Sequence, residues 1–310
     1  MTAHAPVLLD EVLSYLDIAP DGCFLDGTFG RGGHSRAILA RLGERGRLLA
    51  MDRDPAAVRV GKELQLADPR LTIEQNNFGQ LRSFVEEQGL LGKLQGILLD
   101  LGVSSPQLDE AERGFSFRSD GPLDMRMDPH SSPSAADWLN AADEAEITKI
   151  LSRLGEEREA RRIARAIVRA RPIETTRQLA GLVESVVRPR PGAKRLSPRH
   201  PATKTFQAVR MHINRELEEL QSALDAATDA LAPGGRLCVI SFHSLEDRMV
   251  KRFLRDQSRV DPALARLPVV PESSRPRWRI VTKPIRSGEK EVDMNPRARS
   301  ATLRVGELLQ

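Results

Sequence analysis

Phe24-Leu-Asp-Gly-Thr-Phe-Gly-Arg-Gly-Gly-His34 decides the fold: a short apolar run ends in the carboxylate of Asp26 and breaks into a glycine-rich turn. Cys23 to Leu25 read as a buried strand. Ser35 to Leu42 carry apolar residues at Ile38, Leu39 and Leu42, the spacing of a helix. Strand, glycine turn and helix make the first unit of a nucleotide-type α/β site. Gly27, Gly30, Gly32 and Gly33 let main-chain N–H groups approach a ligand closely. A tight strand-to-helix connection would also use glycine, so the segments downstream must arbitrate.

They favour a ligand. Arg47-Leu-Leu-Ala-Met-Asp52 is a second short strand ending in a carboxylate, near the ~20-residue offset of a ribose-binding acid. Asp54-Pro55 already serves as helix cap, which leaves Asp52 to accept from ribose hydroxyls. A nicotinamide dehydrogenase fits less well, because Ser35 stands where the third glycine of G-x-G-x-x-G is needed. Gly96 to Asp100 is another buried strand, and Leu231 to Ser241 reads as a helix end, a turn and a fifth strand. Trp278 to Lys283 and Ala301 to Val305 alternate as an antiparallel pair. A doubly wound, mostly parallel α/β sheet closed by such a pair resembles the class I S-adenosylmethionine-dependent methyltransferases.

At 310 residues the chain is long enough for two domains, or for one with an insertion. Met1 to Leu16 reads as an amphipathic helix without the basic head of a secretion signal, and no apolar run approaches the ~20 residues of a membrane span, so no membrane contact is expected. Cys23 and Cys238 are the only cysteines and sit in predicted strands, while the six histidines lack ligand spacing; neither a disulfide nor a metal is expected. This profile places the chain in the cytoplasm and leaves its oligomeric state open, a homo-oligomer included.

Charge is distributed unevenly. Residues 150–210 hold fifteen Lys or Arg against five Asp or Glu, a net +10, whereas the rest of the chain is −6. Over Ile150 to Arg171 one helical face carries Ile150, Leu154, Ile163 and Ile167, and another carries Arg158, Arg162, Arg165 and Arg169. Glu156, Glu157 and Glu159 offset part of this stripe, which alone would be a solvated face. The following Arg188 to Pro201, with Lys194, Arg195 and Arg199, is basic and proline-rich and reads as an exposed loop. Helix and loop together suit a phosphate backbone. Residues 106–209 therefore read as a helical insertion, and Arg113 to Asp128 as a packed loop or lid within it.

His4 to Leu13, Asp26 to Ser35, Asp100 to Asp109, Gly114 to Asp128, His200 to Arg210 and Ser241-Phe-His-Ser-Leu-Glu-Asp-Arg248 together resemble the bacterial 16S ribosomal RNA cytosine-N4 methyltransferases, nearly end to end. The resemblance implies transfer of a methyl group from S-adenosyl-L-methionine to the exocyclic amine of a decoding-centre cytidine in the small ribosomal subunit. It implies a catalytic domain from residues 1–105 and 210–310 and an inserted RNA-recognition domain, 106–209. Carried over by position, its cofactor contacts fall on Gly32, Gly33, His34, Asp52, Phe78, Asp100 and Gln107.

Cytosine N4 is a poor nucleophile, so an acceptor near the amine should orient it and ease the developing positive charge. Asp100 is the leading candidate, with Ser104 and Ser105 as alternatives. Amino methyltransferases often carry an Asn/Asp-Pro-Pro-aromatic motif at this strand end, and Asp100-Leu-Gly-Val103 departs from it, so Phe115 or Phe117 is left to stack on the base. Ser244, with Asp247 three residues on, reads as a capping box, and His243 as a catalytic group facing the target base. A non-catalytic RNA-binding assembly factor and a nicotinamide-dependent dehydrogenase are the competing functions.

Overall fold

The computed structural model describes residues 6–131, 133–187, 200–260, 271 and 275–310. Eight strands form one sheet: β1 (Cys23–Asp26), β2 (Arg47–Asp52), β3 (Leu71–Gln75), β4 (Leu94–Asp100), β5 (Leu231–Ser241), β6 (Trp278–Ile280), β7 (Ile285–Arg286) and β8 (Thr302–Leu308). The order is β3-β2-β1-β4-β5-β8-β6, with β7 also on β8. Pairings among β1 to β5 are parallel, and β8 runs antiparallel to β5, β6 and β7. This is the doubly wound sheet with an antiparallel closing strand that the sequence predicts. The expected strand at Trp278–Lys283 is shorter, ending at Ile280. The expected turn after Leu231 is an excursion within β5: Leu231 pairs Leu94 and Arg236 pairs Gly96, so four residues of β5 oppose one of β4.

Side-chain alternation explains why the sheet is covered on both faces. Leu25, Leu49, Met51, Ile97, Leu99, Leu237 and Val239 share one core with residues of α4 (Leu81–Glu87), α11 (Glu216–Ala230) and α12 (Ser244–Gln257). Their neighbours in sequence, Phe24, Leu48, Ala50, Leu98, Cys238 and Ile240, share the opposite core with α1 (Leu9–Leu16), α2 (Gly33–Leu39) and α3 (Pro55–Ala67). Of the two strand cysteines Cys238 is buried and Cys23 only partly so, and desolvation pushes the Cys238 thiol up to about 12. Asp54 caps α3, accepting from Ala56 N at 2.9 Å. No helix among the described residues is long and apolar enough to cross a membrane.

The chain divides into two compact units, residues 1–102 with 217–310, and residues 103–216. The second contains α5 (Ser105–Asp109), α6 (Ala135–Ala141), α7 (Glu144–Gly155), α8 (Ala160–Ala170), α9 (Thr176–Val187) and α10 (Thr203–Ile213). Leu139, Ile147, Leu151, Ile163, Ile167, Val183 and Val209 fill its own core. The Arg113–Asp128 segment packs into that core through buried Leu123 and Met125. Asn214 fixes it there, donating from Nδ2 to Met125 O at 2.7 Å and accepting from Met127 N at 2.8 Å.

One expectation fails here. Ile150 to Arg171 is not a single helix, because the chain breaks at Glu156 with φ 47°, directly after Gly155. A Cβ at Gly155 would stand 2.8 Å from Lys204 O, so α10 approaches too closely for a larger residue there. Arg158 consequently lies between helices, and of the four stripe arginines Arg162, Arg165 and Arg169 lie on α8, all exposed.

Candidate active site

Parallel strands β1, β2 and β4 all end in aspartate, so three carboxylates collect at the carboxyl end of the sheet, where the strand order reverses between β1 and β4. The glycine turn after β1 is stitched across this end. Gly27 N donates to Leu98 O and Phe29 N to Met51 O, both at 2.9 Å. Gly30 N donates to Asp52 Oδ2 at 2.7 Å, while Asp54 N donates to Oδ1 at 2.8 Å. Gly32 takes φ 74° as the N-cap of α2, and a Cβ there would meet the Phe29 ring at 2.6 Å. Gly33 is equally confined, its would-be Cβ 2.5 Å from Pro6.

Asp26, which sequence reasoning gave no role, braces this turn. Its carboxylate accepts from Ser35 Oγ at 2.6 Å and from Thr28 N at 3.1 Å. Thr28 Oγ1 in turn accepts from Asp100 N at 2.7 Å, linking the turn to the end of β4. Burial raises the Asp26 carboxyl above its usual range despite these hydrogen bonds. The signal for Asp26 lies in the Asp-Gly-Thr order, where its carboxylate folds back on the N–H two residues on; the partner of Thr28, 72 positions away, carries no local signal.

Asp52 and Asp100 are also raised, each to about 6, and in both desolvation is the main cause. For Asp52 the N–H groups of Asp54 and Gly30 oppose it; for Asp100 the His34 ring does. Asp100 Oδ2 lies 3.6 Å from His34 Nδ1, whereas Oδ1 is buried without a hydrogen-bond partner among the described residues. His34 Nε2 lies 3.1 Å from Val7 O. A carbonyl only accepts, so Nε2 carries a proton, and a bond between Nδ1 and Asp100 needs a further proton on one of the two. The ring bridges the N-terminal segment and Asp100 and does not cap its helix.

Phe78 follows β3 on a short 3₁₀ turn, half-buried, its Cβ 3.3 Å from where a Cβ on Gly27 would be. One end of the side chain is thereby fixed beside the glycine turn. Gly32, Gly33, His34, Asp52, Phe78 and Asp100 thus share one edge of the first unit. Gln107 belongs to the second unit, where it is buried and accepts from Ser104 N at 2.9 Å, so its oxygen serves the start of α5.

After β5, the helix cap differs from the expected one. His243 is the N-cap of α12, not Ser244, and its partner is Glu246, not Asp247. Glu246 Oε2 accepts from Phe242 N at 2.9 Å and His243 N at 3.3 Å, and its Oε1 lies 3.0 Å from His243 Nε2. Asp247 instead holds Arg304 of β8 through contacts of 2.7 and 3.0 Å. The Nδ1 and backbone N–H of His243 are both engaged by the cap, whereas its buried Nε2 has no hydrogen-bond partner among the described residues.

In the second unit, Arg162 pairs with Glu159 at 2.7 Å and Arg165 with Glu144 at 3.4 Å. Lys194, Arg195 and Arg199 lie outside the described residues. Phe115 is buried with Arg113 over its ring, and Phe117 packs between His200 at 4.4 Å and Phe206 at 4.9 Å.

The cluster fits a bound nucleoside cofactor: a braced glycine turn, a pinned carboxylate one strand away, a partly buried phenylalanine whose Cβ stands beside the turn, and a buried acceptor atom left over. Over residues 1–309 the chain matches the MraW methylase family. Solved structures that it resembles include a candidate rRNA methylase from Clostridium thermocellum (12% identity, 99% of this chain and 100% of the other, TM-score 0.46). Others are an rRNA methylase from Streptococcus thermophilus (12%, 99% and 100%, 0.43) and an S-adenosylmethionine-dependent O-methyltransferase from Thermotoga maritima (10%, 100% and 69%, 0.41). With the sheet, the glycine turn and a family match of this extent in place, the chain belongs to the MraW methylase family and is an S-adenosylmethionine-dependent methyltransferase.

Proposed function

We propose that the chain methylates the N4 amine of a decoding-centre cytidine in 16S ribosomal RNA, acting on the small ribosomal subunit in the cytoplasm. One observation carries this reading: at the reversal point of a methylase sheet, Asp100 holds a buried oxygen without a partner among the described residues, on a carboxyl raised to about 6. An amine that must be oriented and must lose a proton suits such an acceptor.

The cofactor supplies a methyl group already activated by its sulfonium, so the protein's work is binding, alignment and exclusion of water. Asp52, its carboxylate oriented by Gly30 N and Asp54 N, accepts from the ribose hydroxyls. Phe78 packs on the adenine, and Gly32, Gly33 and His34 receive the methionine end. Gln107 is the remaining cofactor contact that the family resemblance implies. Asp100 accepts from the N4 amine, stabilises the positive charge as the new C–N bond forms and the S–CH3 bond breaks with its electron pair returning to sulfur, and takes the proton that the methylated nitrogen releases. His34, tethered by Val7 O, holds the Asp100 carboxylate in place. His243 faces the base from the end of β5. Arg158, Arg162, Arg165 and Arg169, with Lys194, Arg195 and Arg199, contact RNA phosphates.

Small subunits from cells lacking the enzyme, incubated with tritiated S-adenosylmethionine and digested to nucleosides, test this. Label in N4-methylcytidine is expected. Label in any other nucleoside, or none, rejects the assignment.

A further inference from the structure

Outside the cluster of carboxylates, the first unit carries a second concavity. A groove of about 490 Å³ opens between α12, the loop from β6 to β7, and β8. Such a volume falls within the ~300–1,000 Å³ typical of ligand sites. Five cations line it: Lys251 and Arg255 of α12, Arg259 just beyond its end, Lys283 of the loop and Arg304 of β8. No carboxylate stands among the described residues of its lining. Its floor is apolar, with Leu254, Val281 and Val305, and Ile280 on the edge strand β6 is 48% exposed beside it.

The cations are not equivalent. Arg304 is held by Asp247, and Arg255 by Asp256 at 2.7 Å. Lys251, Arg259 and Lys283 are exposed and have no salt-bridge partner among the described residues. A solvated helix face would mix charges of both signs and project outward. Here cations from a helix, a loop and a strand converge on one apolar floor instead. An anion with flat apolar parts matches that combination, and a single RNA strand supplies both: phosphodiesters for the rim and an unstacked base for the floor.

We propose that this groove is a second RNA-binding surface, engaging the single-stranded backbone of the substrate RNA independently of the arginines on α8. The proposal rests on the reading of the chain as an RNA methyltransferase. It adds that the catalytic unit, although the chain outside residues 150–210 is net acidic, grips RNA through this cationic patch.

Fluorescence anisotropy with a labelled single-stranded RNA, across a salt series, tests it. The full chain is compared with a triple variant, Lys251→Ala, Arg259→Ala and Lys283→Ala, and separately with Ile280→Ala. The triple variant should bind more weakly, with the slope of log K against log salt shallower by about 0.7 per lost phosphate contact, about two in all. Ile280→Ala should weaken binding without changing that slope. Calorimetry should show S-adenosylmethionine affinity unchanged in both.

Wild-type affinity and slope in the triple variant overturn the groove while leaving the RNA methyltransferase reading intact. An absence of RNA binding by the unaltered chain together with an absence of methyl transfer to small subunits overturns both. If the triple variant binds RNA normally but loses affinity for intact small subunits, the groove docks an acidic protein segment and the proposal is wrong.

Discussion

Asp100→Asn should make the protein more stable and at the same time inactive. The carboxyl rises from 3.8 to about 6 on folding, chiefly because burial disfavours its charge. A folded value above the unfolded one means that native protein holds the proton more tightly, so stability present below about pH 3.8 is lost as pH rises through 6. Two pKa units at 1.36 kcal/mol each set an upper figure of about 3 kcal/mol for this loss. The side chain is 24% exposed, so water screens part of it, and ~1–3 kcal/mol is the working range. A neutral amide escapes the loss. Urea unfolding followed through Trp278, which is buried in the same unit, measures the difference, with Trp138→Phe in both proteins to silence the other tryptophan. The gain should be full at about pH 7.5, roughly half by pH 5 and mostly gone at pH 4, following the same linkage. Methyl transfer should vanish in parallel. Equal stability at pH 7.5, or a gain that does not change with pH, would refute the electrostatic argument, and wild-type turnover would remove Asp100 from the chemistry.

Asp52→Ala should weaken S-adenosylmethionine binding by roughly 1.5–3 kcal/mol, the scale of hydrogen bonds to a charged group, and unchanged calorimetric affinity in a folded variant rejects its role. Gly32→Ala should cost about 1–2 kcal/mol from the left-handed backbone alone, with a further penalty as Phe29 is displaced; a denaturation midpoint equal to the wild type contradicts this. Replacing Arg162, Arg165 and Arg169 together with alanine should shallow the salt dependence of RNA binding by about 0.7 per phosphate contact and leave cofactor affinity alone. An unchanged slope makes α8 a solvated face.

The strands were legible because each pairs a short apolar run with a terminal carboxylate, as at Asp26, Asp52 and Asp100, and two-sided burial leaves few other uses for such runs. The stripe over Ile150 to Arg171 was misread because apolar spacing continues on both sides of a break that tertiary packing imposes at Gly155. A local cue existed: glycine followed by Glu156-Glu157-Arg158-Glu159, with no apolar residue to hold another turn. The α12 cap was ambiguous by one residue, since His243 with Glu246 and Ser244 with Asp247 have the same spacing. What decides it is Arg304, 57 positions away, which takes Asp247 for itself. The second role of His34 was equally hidden, because Val7 O and Asp100 meet it only in the folded chain.

Residues 103–216 are continuous, whereas the unit carrying the carboxylates is assembled from two separated stretches. During synthesis this difference sets a timetable. Once β1 to β4 have left the ribosome, the edge of β4 must wait for β5, which begins only at Leu231, and β5 must wait for β8 at Thr302. Leu8 N waits longer still for its acceptor, Glu291 Oε1 at 2.7 Å. The helical stretch in between can bury its core as it emerges, because every residue of that core is already present. The later-begun unit is thus the earlier finished, and the nascent chain carries an unpaired strand edge for as long as more than a hundred residues take to be made.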